Sequence, residues 1–307
     1  MRIGIFDGES ASRGVNAVVE SARRAAIDGF DSFWIPQIFG LDSIGVLSVV
    51  GREVPGLSEL GTAVVPTWPR HPTALAAQAL CAADATGSRF TLGIGLSHEI
   101  VIDRMFGIPW DRPAGHMEEY LEVLMPLLRK GKVSFRGERF SVVLPMDVPN
   151  DPPLRVPVMV AALGPRMLEI AGRLADGTAT WMTGAKTIAT HVAPRIRQAA
   201  AAAGNPPPRI GVGLPFCVTS DEKGARELAA ERYAVYGSLP SYRAMLDREG
   251  VAGPAELAIV GDLAYVRDQV GRIEEAGATD LIADVFGTDA EVSATRELLL
   301  SCIATKP

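Results

Sequence analysis

The feature that most constrains this chain is a regular alternation of short apolar runs with longer amphipathic, Ala-rich stretches. The short runs are β-branched and of strand length, and the long ones repeat apolar residues at helical spacing. The predicted strands are residues 2–6, 32–35, 60–65, 90–95, 156–160, 176–181, 209–218 and 280–285. Such alternation implies parallel strands, and eight units in 307 residues favour closure. We predict an α/β fold, a (β/α)8 TIM barrel, as one domain over residues 1–307.

Helices are predicted after the strands, with two departures from a plain barrel. The main helices are residues 14–28, 42–50, 72–85, 113–129, 165–174, 186–203, 264–276 and 289–304, with two more helical stretches between 218 and 249. Residues 96–113 are too many for an ordinary loop and predict an insertion after strand 4. Residues 133–142 predict a small hairpin, and residues 150–153 a loop.

Composition and charge exclude several classes of protein. The net charge of −6, without a dense basic patch, argues against nucleic-acid binding. No apolar run is long enough for a membrane span, and the first residues lead directly into a strand rather than a signal peptide. The three cysteines lack metal-ligand spacing, so we expect a reduced cytoplasmic protein with no metal site. The absence of His-Glu-x-x-His and Gly-x-Ser-x-Gly motifs gives little support to a zinc hydrolase or a serine hydrolase.

In a barrel, the loops after the strands carry the chemistry, and two such loops stand out early in the chain. The loop after strand 3, around Pro66, contains three prolines between residues 66 and 72, although it is equally explained as a stiff helix start. After strand 4, Gly93 and Gly95 allow close approach to a ligand. His98 follows and could move a proton, although a solvated loop histidine is as probable on this motif alone.

Two later loops carry features suited to a phosphorylated ligand. After strand 5, Gly164 and Pro165 open a helix whose first amides can face an anion, as in any helix start. After strand 6, Thr183, Gly184 and Lys186 would suit a phosphate, although a capped surface turn fits equally. Trp181 and Met182 would add an apolar wall. Phosphate sites and an apolar wall without a metal motif indicate an organic cofactor.

These four segments, in this order, resemble the luciferase-like family of flavin and deazaflavin oxidoreductases over nearly the whole chain. Residues 30–34, 107–113 and 171–177 strengthen the similarity. Within the family, the chain looks most like the actinobacterial branch that uses coenzyme F420, a deazaflavin that carries hydride. The resemblance implies a luciferase-like barrel, a cis peptide between Ala63 and Val64 behind the coenzyme ring, and commonly a homodimer.

The resemblance also implies which residues hold the coenzyme. The expected contacts are Pro36, Ala63, Val64, Pro66, Gly95, Leu96, Ser97, His98, Ala162, Leu163, Gly164, Pro165, Trp181, Met182, Thr183, Gly184 and Lys186. Thr183 and Lys186 match the phosphate-binding Thr and Lys of the family's sugar-phosphate dehydrogenases. Those enzymes carry Asp-His after strand 2, whereas this chain has Pro36 and Gln37, and Gln37 cannot act as a base.

We therefore predict an F420-dependent oxidoreductase that transfers a hydride between the coenzyme and a small organic substrate. His98 is the expected proton donor, and Gln37 a polar contact in the catalytic site. One alternative is an FMN-dependent monooxygenase that is supplied by a separate reductase. A second alternative is a coenzyme- or ligand-binding barrel without turnover, because the Asp-His pair is missing. The sequence does not name the substrate.

Overall fold

The structure is a computed structural model that describes residues 1–147 and 154–304. In chain order, its strands are β1 (Arg2–Phe6), β2 (Ser32–Ile35), β3 (Glu59–Thr62), β4 (Val65–Pro66), β5 (Phe90–Gly95), β6 (Lys132–Arg136), β7 (Ser141–Pro145), β8 (Val158–Val160), β9 (Gly177–Trp181), β10 (Arg209–Val218), β11 (Ile259–Gly261) and β12 (Asp280–Val285). The loop predicted at residues 150–153 lies outside the described residues.

The helices lie between the strands, as the alternation predicts. They are α1 (Val15–Asp28), α2 (Ser43–Glu53), α3 (Pro72–Ala85), α4 (Pro113–Lys130), α5 (Pro165–Leu174), α6 (Ala185–Thr187), α7 (Ala193–Ala202), α8 (Glu222–Arg232), α9 (Ala234–Ser238), α10 (Pro240–Glu249), α11 (Pro254–Leu257), α12 (Leu263–Glu275) and α13 (Asp289–Ala304). A π-helical turn joins α6 to α7, so residues 185–202 form one continuous helix. No helix among residues 1–147 and 154–304 combines the length and apolar character needed to cross a membrane.

Eight parallel strands close into a barrel, which confirms the predicted fold. The order is β1-β2-β3-β5-β8-β9-β10-β12, and β12 pairs with β1 to complete the ring. The short strands β4 and β11 add to β5 and β10. Strands β6 and β7 form the predicted antiparallel hairpin outside the barrel. The carboxyl ends of the eight strands therefore meet at one end, which we call the mouth.

The prediction of one continuous strand over residues 60–65 was wrong. β3 ends at Thr62, and β4 begins at Val65. The peptide bond between Ala63 and Val64 is cis, as the resemblance implied. Ala63 N donates to Ile35 O in β2, whereas Val65 pairs with Ile94 in β5. β3 pairs with both β2 and β5, whereas β4 pairs with β5, so the strand is interrupted here in a way that a run of β-branched residues does not reveal.

The predicted insertion after the fourth barrel strand is confirmed. After β5, residues 96–112 form an irregular segment that contains a π-helical turn at Ile100–Met105. A second excursion lies between β10 and β12, where α8 to α11 and the unpredicted strand β11 stand at the mouth side of the barrel. Both excursions follow the carboxyl ends of strands, which is where a barrel accommodates extra chain without disturbing its core.

The barrel interior is filled by side chains, so the mouth has a solid base. Trp34, Met159, Ala179 and Ile282 form a buried inner cluster, each from a different strand. The indole of Trp34 occupies the space where Gly61 has no side chain, since a Cβ there would lie 2.1 Å from the ring. Any ligand at the mouth must therefore lie above this cluster rather than pass through it.

Candidate active site

An apolar floor covers the inner cluster at the mouth. Phe6, Ala63 and Val64 are half-buried and pack on that cluster; we call these three residues the floor. Val64 fills the space above Gly95, where a Cβ would lie 2.7 Å from its methyl carbon Cγ2. The ring of Phe6 stacks on Trp181 with centroids 5.1 Å apart. A flat, partly exposed apolar surface of this kind suits one face of an aromatic ring system.

The loop after β5 carries His98 in a fixed backbone. Ser97 is in the left-handed region with φ of 63°, which is uncommon for a residue other than glycine and is often found at functional sites. The His98 carbonyl accepts hydrogen bonds from Val101 N and Ile102 N. Burial lowers the pKa of the half-buried His98 ring below its ordinary 6.5, so the imidazole is neutral at pH 7.

Gln37 is held by protein groups rather than free. Its amide oxygen accepts hydrogen bonds from Arg70 Nη2 at 3.0 Å and from the backbone and hydroxyl of Ser43, both at 3.3 Å. Its backbone N–H donates to Val64 O at 3.3 Å. Pro36 directly follows β2, the Gln37 backbone holds Val64 of the floor, and the Nε2 group of Gln37 is left for a ligand.

The start of α5 is an open helix terminus beside the floor. Gly164 is the N-cap, and no described side chain accepts a hydrogen bond from the first turn. A Cβ on Gly164 would meet nothing within 4 Å. The preceding Leu163 carbonyl accepts a hydrogen bond from His191 Nε2 at 2.8 Å. Arg195 Nε donates to His191 Nδ1, so the proton of the neutral ring lies on Nε2. The free amides of this turn can therefore face an anion.

The loop after β9 brings Trp181 to Lys186 to the mouth, as predicted. Met182 is buried and has a positive φ of 51°, and Ser97, after β5, also has a positive φ. The buried Thr183 hydroxyl donates to Trp181 O at 3.1 Å, so it serves the turn itself. Lys186 is exposed at the start of the helix over residues 185–202.

Glu249 occupies the start of that helix. Its Oε1 accepts from Lys186 N at 3.1 Å, and its Oε2 accepts from Thr187 N at 2.8 Å and from the Thr187 hydroxyl at 2.6 Å. Lys186 Nζ donates to the Glu249 carbonyl at 3.3 Å. The position at which Thr183 and Lys186 were expected to bind a phosphate already contains the carboxylate of Glu249.

An aromatic ladder along one side of the mouth was not predicted. Ring centroids are 5.8 Å apart between Trp181 and Tyr236, 5.2 Å between Tyr236 and Tyr242, and 5.6 Å between Tyr242 and His98. Both tyrosines are half-buried, and burial raises their pKa values. They come from α9 and α10, whose sequences contain no periodic signal that points to a site.

A buried carboxyl at the end of β12 was also missed. Asp284 accepts a hydrogen bond from the Tyr233 hydroxyl at 2.8 Å and pairs with Arg232 at 3.2 Å. Arg232 also pairs with Glu9, which follows β1. The available signal was an acidic residue at the carboxyl end of a barrel strand. No group of three or more His, Cys, Asp or Glu residues that could hold a metal ion is found in residues 1–147 and 154–304.

Comparison with known proteins finds a matching family and several related enzymes. The profile of the family described as luciferase-like monooxygenase matches residues 1–280. A 5,10-methylenetetrahydromethanopterin reductase of Methanolobus tindarius is 27% identical over 273 residues, which are 88% of this chain and 81% of that protein. The coenzyme F420-dependent tetrahydromethanopterin reductase of Methanopyrus kandleri has a TM-score of 0.78 at 21% identity, over 97% of both chains. The FMN complex of the oxygenating constituent of 3,6-diketocamphane monooxygenase from Pseudomonas putida has a TM-score of 0.76 at 17% identity, over 97% of this chain and 96% of that one.

Proposed function

Because the chain belongs to the luciferase-like monooxygenase family, we propose that it is a coenzyme F420-dependent oxidoreductase that transfers a hydride between the deazaflavin and a small organic substrate. The relatives are reductases and flavin monooxygenases, so the protein is an oxidoreductase rather than a binding barrel without turnover. Both F420 and FMN occur among them, and the choice of F420 is part of the proposal. The homodimer expected from the resemblance stays a prediction.

The observation that carries the proposal is the floor with an open helix terminus beside it. Ala63 and Val64 would lie under the coenzyme ring, and residues 95–98 along its edge. The first turn of α5 at Gly164 would receive the phosphate group of the coenzyme, because its amides have no internal cap. When bound, the deazaflavin supplies the carbon that accepts or gives the hydride.

His98 is the proposed proton-transfer group. Because its imidazole is neutral at pH 7, it can accept a proton from a substrate hydroxyl when the substrate is oxidised. In the reverse direction, the same nitrogen returns the proton. The Nε2 group of Gln37 is available as a hydrogen-bond donor to the substrate, since the amide oxygen is engaged by Arg70 and Ser43.

Coenzyme titration tests the proposal. We expect coenzyme F420 to bind the wild-type protein at micromolar concentration, and FMN to bind more weakly. A carboxylate introduced at the open helix start should repel the phosphate, so Gly164→Asp should weaken F420 binding about tenfold. Gly253→Asp is the matched control, since Gly253 is also a helix N-cap with open space around it. Tight binding of FMN without F420 would overturn the proposal in favour of a monooxygenase.

Replacement of His98 tests its role. His98→Gln should lower kcat for hydride transfer by about two to four orders of magnitude, because general acid–base catalysis is lost. In the wild type, substrate oxidation should persist at pH 6.5 and decline only at lower pH, because burial lowers the pKa of the His98 imidazole from its ordinary 6.5. His71→Asn is the control, because His71 caps α3 at the surface and Asn retains a capping side chain. Normal turnover of His98→Gln would remove His98 from the mechanism.

A further inference from the structure

We propose that Glu249 fills the anion position at the start of the helix over residues 185–202, so that the substrate of this enzyme carries no phosphate group at that position. The inference rests on the proposed function, because it names the substrate class of that same site. Because the proposed function gives the coenzyme phosphate the open start of α5, we assign this second helix start, where Thr183 and Lys186 were expected to contact the coenzyme, to the substrate side of the mouth.

The carboxylate of Glu249 satisfies the donors that a phosphate would need. It accepts three hydrogen bonds, two from the backbone amides of Lys186 and Thr187 and one from the Thr187 hydroxyl, all between 2.6 and 3.1 Å. The Lys186 ammonium is directed to the carbonyl of Glu249. The two backbone amides and the Thr187 hydroxyl at this helix start are therefore engaged by the Glu249 carboxylate, and the Thr183 hydroxyl donates to Trp181 O.

The shape of the turn also fits Glu249 rather than a ligand. A Cβ on Gly184 would lie 2.4 Å from the carboxyl carbon of Glu249, so this glycine makes room for the internal carboxylate. The positive end of the helix dipole stabilises one negative charge. A phosphate at the same amides would meet the carboxylate at contact distance, and like charges at that separation repel strongly.

The segment that supplies Glu249 also supplies the neutral wall of the mouth. Tyr236 lies on α9 and Tyr242 on α10, and Glu249 is the last residue of α10. The ladder from Trp181 through the two tyrosines to His98 presents half-buried aromatic rings. One stretch of chain thus closes an anion site and lines the space beside it with aromatic groups, which favours an apolar or aromatic substrate.

Phosphate binding to the coenzyme-free protein tests the inference without reference to turnover. Inorganic phosphate is titrated at pH 7 and followed by ³¹P NMR, with Gly164→Asp present in the reference protein and in every variant so that the open start of α5 does not bind the ion. We expect Glu249→Ala to bind phosphate at least about tenfold more tightly than the reference protein, as for a charge-assisted hydrogen-bonded site. Asp247→Ala removes the same charge from the same helix, where the exposed Asp247 pairs with Arg243, and should behave like the reference protein. Glu249→Gln serves as a second variant that keeps the side-chain size.

A matched ligand pair extends the test to the substrate class. Benzyl alcohol and benzyl phosphate are compared by ligand-observed NMR, and the reference protein should bind the alcohol at least about tenfold more tightly than the phosphate ester. Glu249→Ala should reduce or reverse that preference. The inference is overturned if the reference protein binds phosphate as tightly as the variants, if neither folded variant gains phosphate binding, or if benzyl phosphate is preferred by the reference protein. Failure of the proposed function would instead show as absent F420 binding in the coenzyme titration of the wild type.

Discussion

At the scale of single residues, Asp284 shows how the surroundings of a side chain set its chemistry. Side chains alternate along a strand, so Asp284 points inward like Ile282 and lies at the mouth end of β12. Burial raises its pKa to about 6, although Arg232 and the Tyr233 hydroxyl oppose the shift. Glu9 adds to the increase through like charge. The protonated carboxyl is therefore populated at mildly acidic pH.

Replacement of Asp284 should change how stability depends on pH. The unfolded carboxyl titrates near 3.9 and the folded one near 6, so the folded state holds the proton more tightly. The protonated Asp284 carboxyl therefore stabilises the folded state at low pH, and this stabilisation is lost as the pH rises from about 4 to about 6. Asp284→Asn should accordingly gain about 2–3 kcal/mol relative to the wild type between pH 4 and pH 7, measured by urea unfolding. A difference that does not vary with pH would contradict the assigned shift.

At the scale of elements, one carboxylate joins α4 to the hairpin of β6 and β7. Glu119 on α4 accepts hydrogen bonds from the backbone N–H groups of Glu138, Arg139 and Phe140, between 2.8 and 3.1 Å. Burial acts against ionisation, but these three bonds outweigh it and lower the pKa of Glu119. Arg139 in turn lies over the Trp68 ring at 5.1 Å. The hairpin thus supports the loop that follows β4 at the mouth.

Removal of that carboxylate should loosen the hairpin more than the barrel. Glu119→Ala should lower the free energy of unfolding by only about 1–2 kcal/mol, because water can reach the released amides. Hydrogen exchange at residues 138–140 should accelerate at least about tenfold, since local opening loses three bonds. Glu122→Ala on the same helix is the control, because no hydrogen bond or ion pair of Glu122 is found among the described residues. Unchanged exchange at residues 138–140 would remove this role from Glu119.

At the scale of the whole molecule, the end of the barrel opposite the mouth is closed by an ion cluster. Arg209 on β10 reaches Glu59 on β3 at 2.8 Å and Asp280 on β12 at 2.9 Å. Arg2 on β1 contacts the same two carboxylates. Four strands that are distant in sequence are joined in this way. The cluster lowers the pKa of the buried Asp280 despite the cost of burial.

Breaking this cluster should reduce stability without touching the site. Arg209→Met leaves Arg2 as the one cation described beside two buried carboxylates, with the Thr279 hydroxyl still donating to Asp280, and should cost about 3–5 kcal/mol. Thermal unfolding measures this cost. The exposed Arg52 provides the control, and Arg52→Met should change stability by less than about 0.5 kcal/mol. Coenzyme affinity of the folded Arg209→Met protein should equal that of the wild type, because the cluster lies at the far end of the barrel. A weakened affinity would show that the two ends are coupled.

The sequence by itself determined the features that depend on local physics. Periodicity predicted the eight barrel strands and the helix over residues 14–28, which ends as α1 at Gly29 with a left-handed φ of 98°. Pro72 and Pro113 begin α3 and α4 as expected, because proline suits the first turn of a helix. The four loops at the mouth were identified from their residues and their position after predicted strands, and the resemblance supplied the cis bond before Val64.

Only the tertiary structure decided which groups in those loops are free to act. Lys186 and Glu249 are 63 positions apart, so no local pattern shows that a carboxylate caps the expected phosphate site. The aromatic ladder is likewise formed by residues that are distant in sequence, and so is the hydrogen bond between Tyr233 and Asp284, which are 51 positions apart. Such contacts depend on how the barrel closes and on which excursion folds over the mouth. Sequence periodicity reports the faces of individual elements, whereas hydrogen-bond partners and burial are set by elements that are distant along the chain.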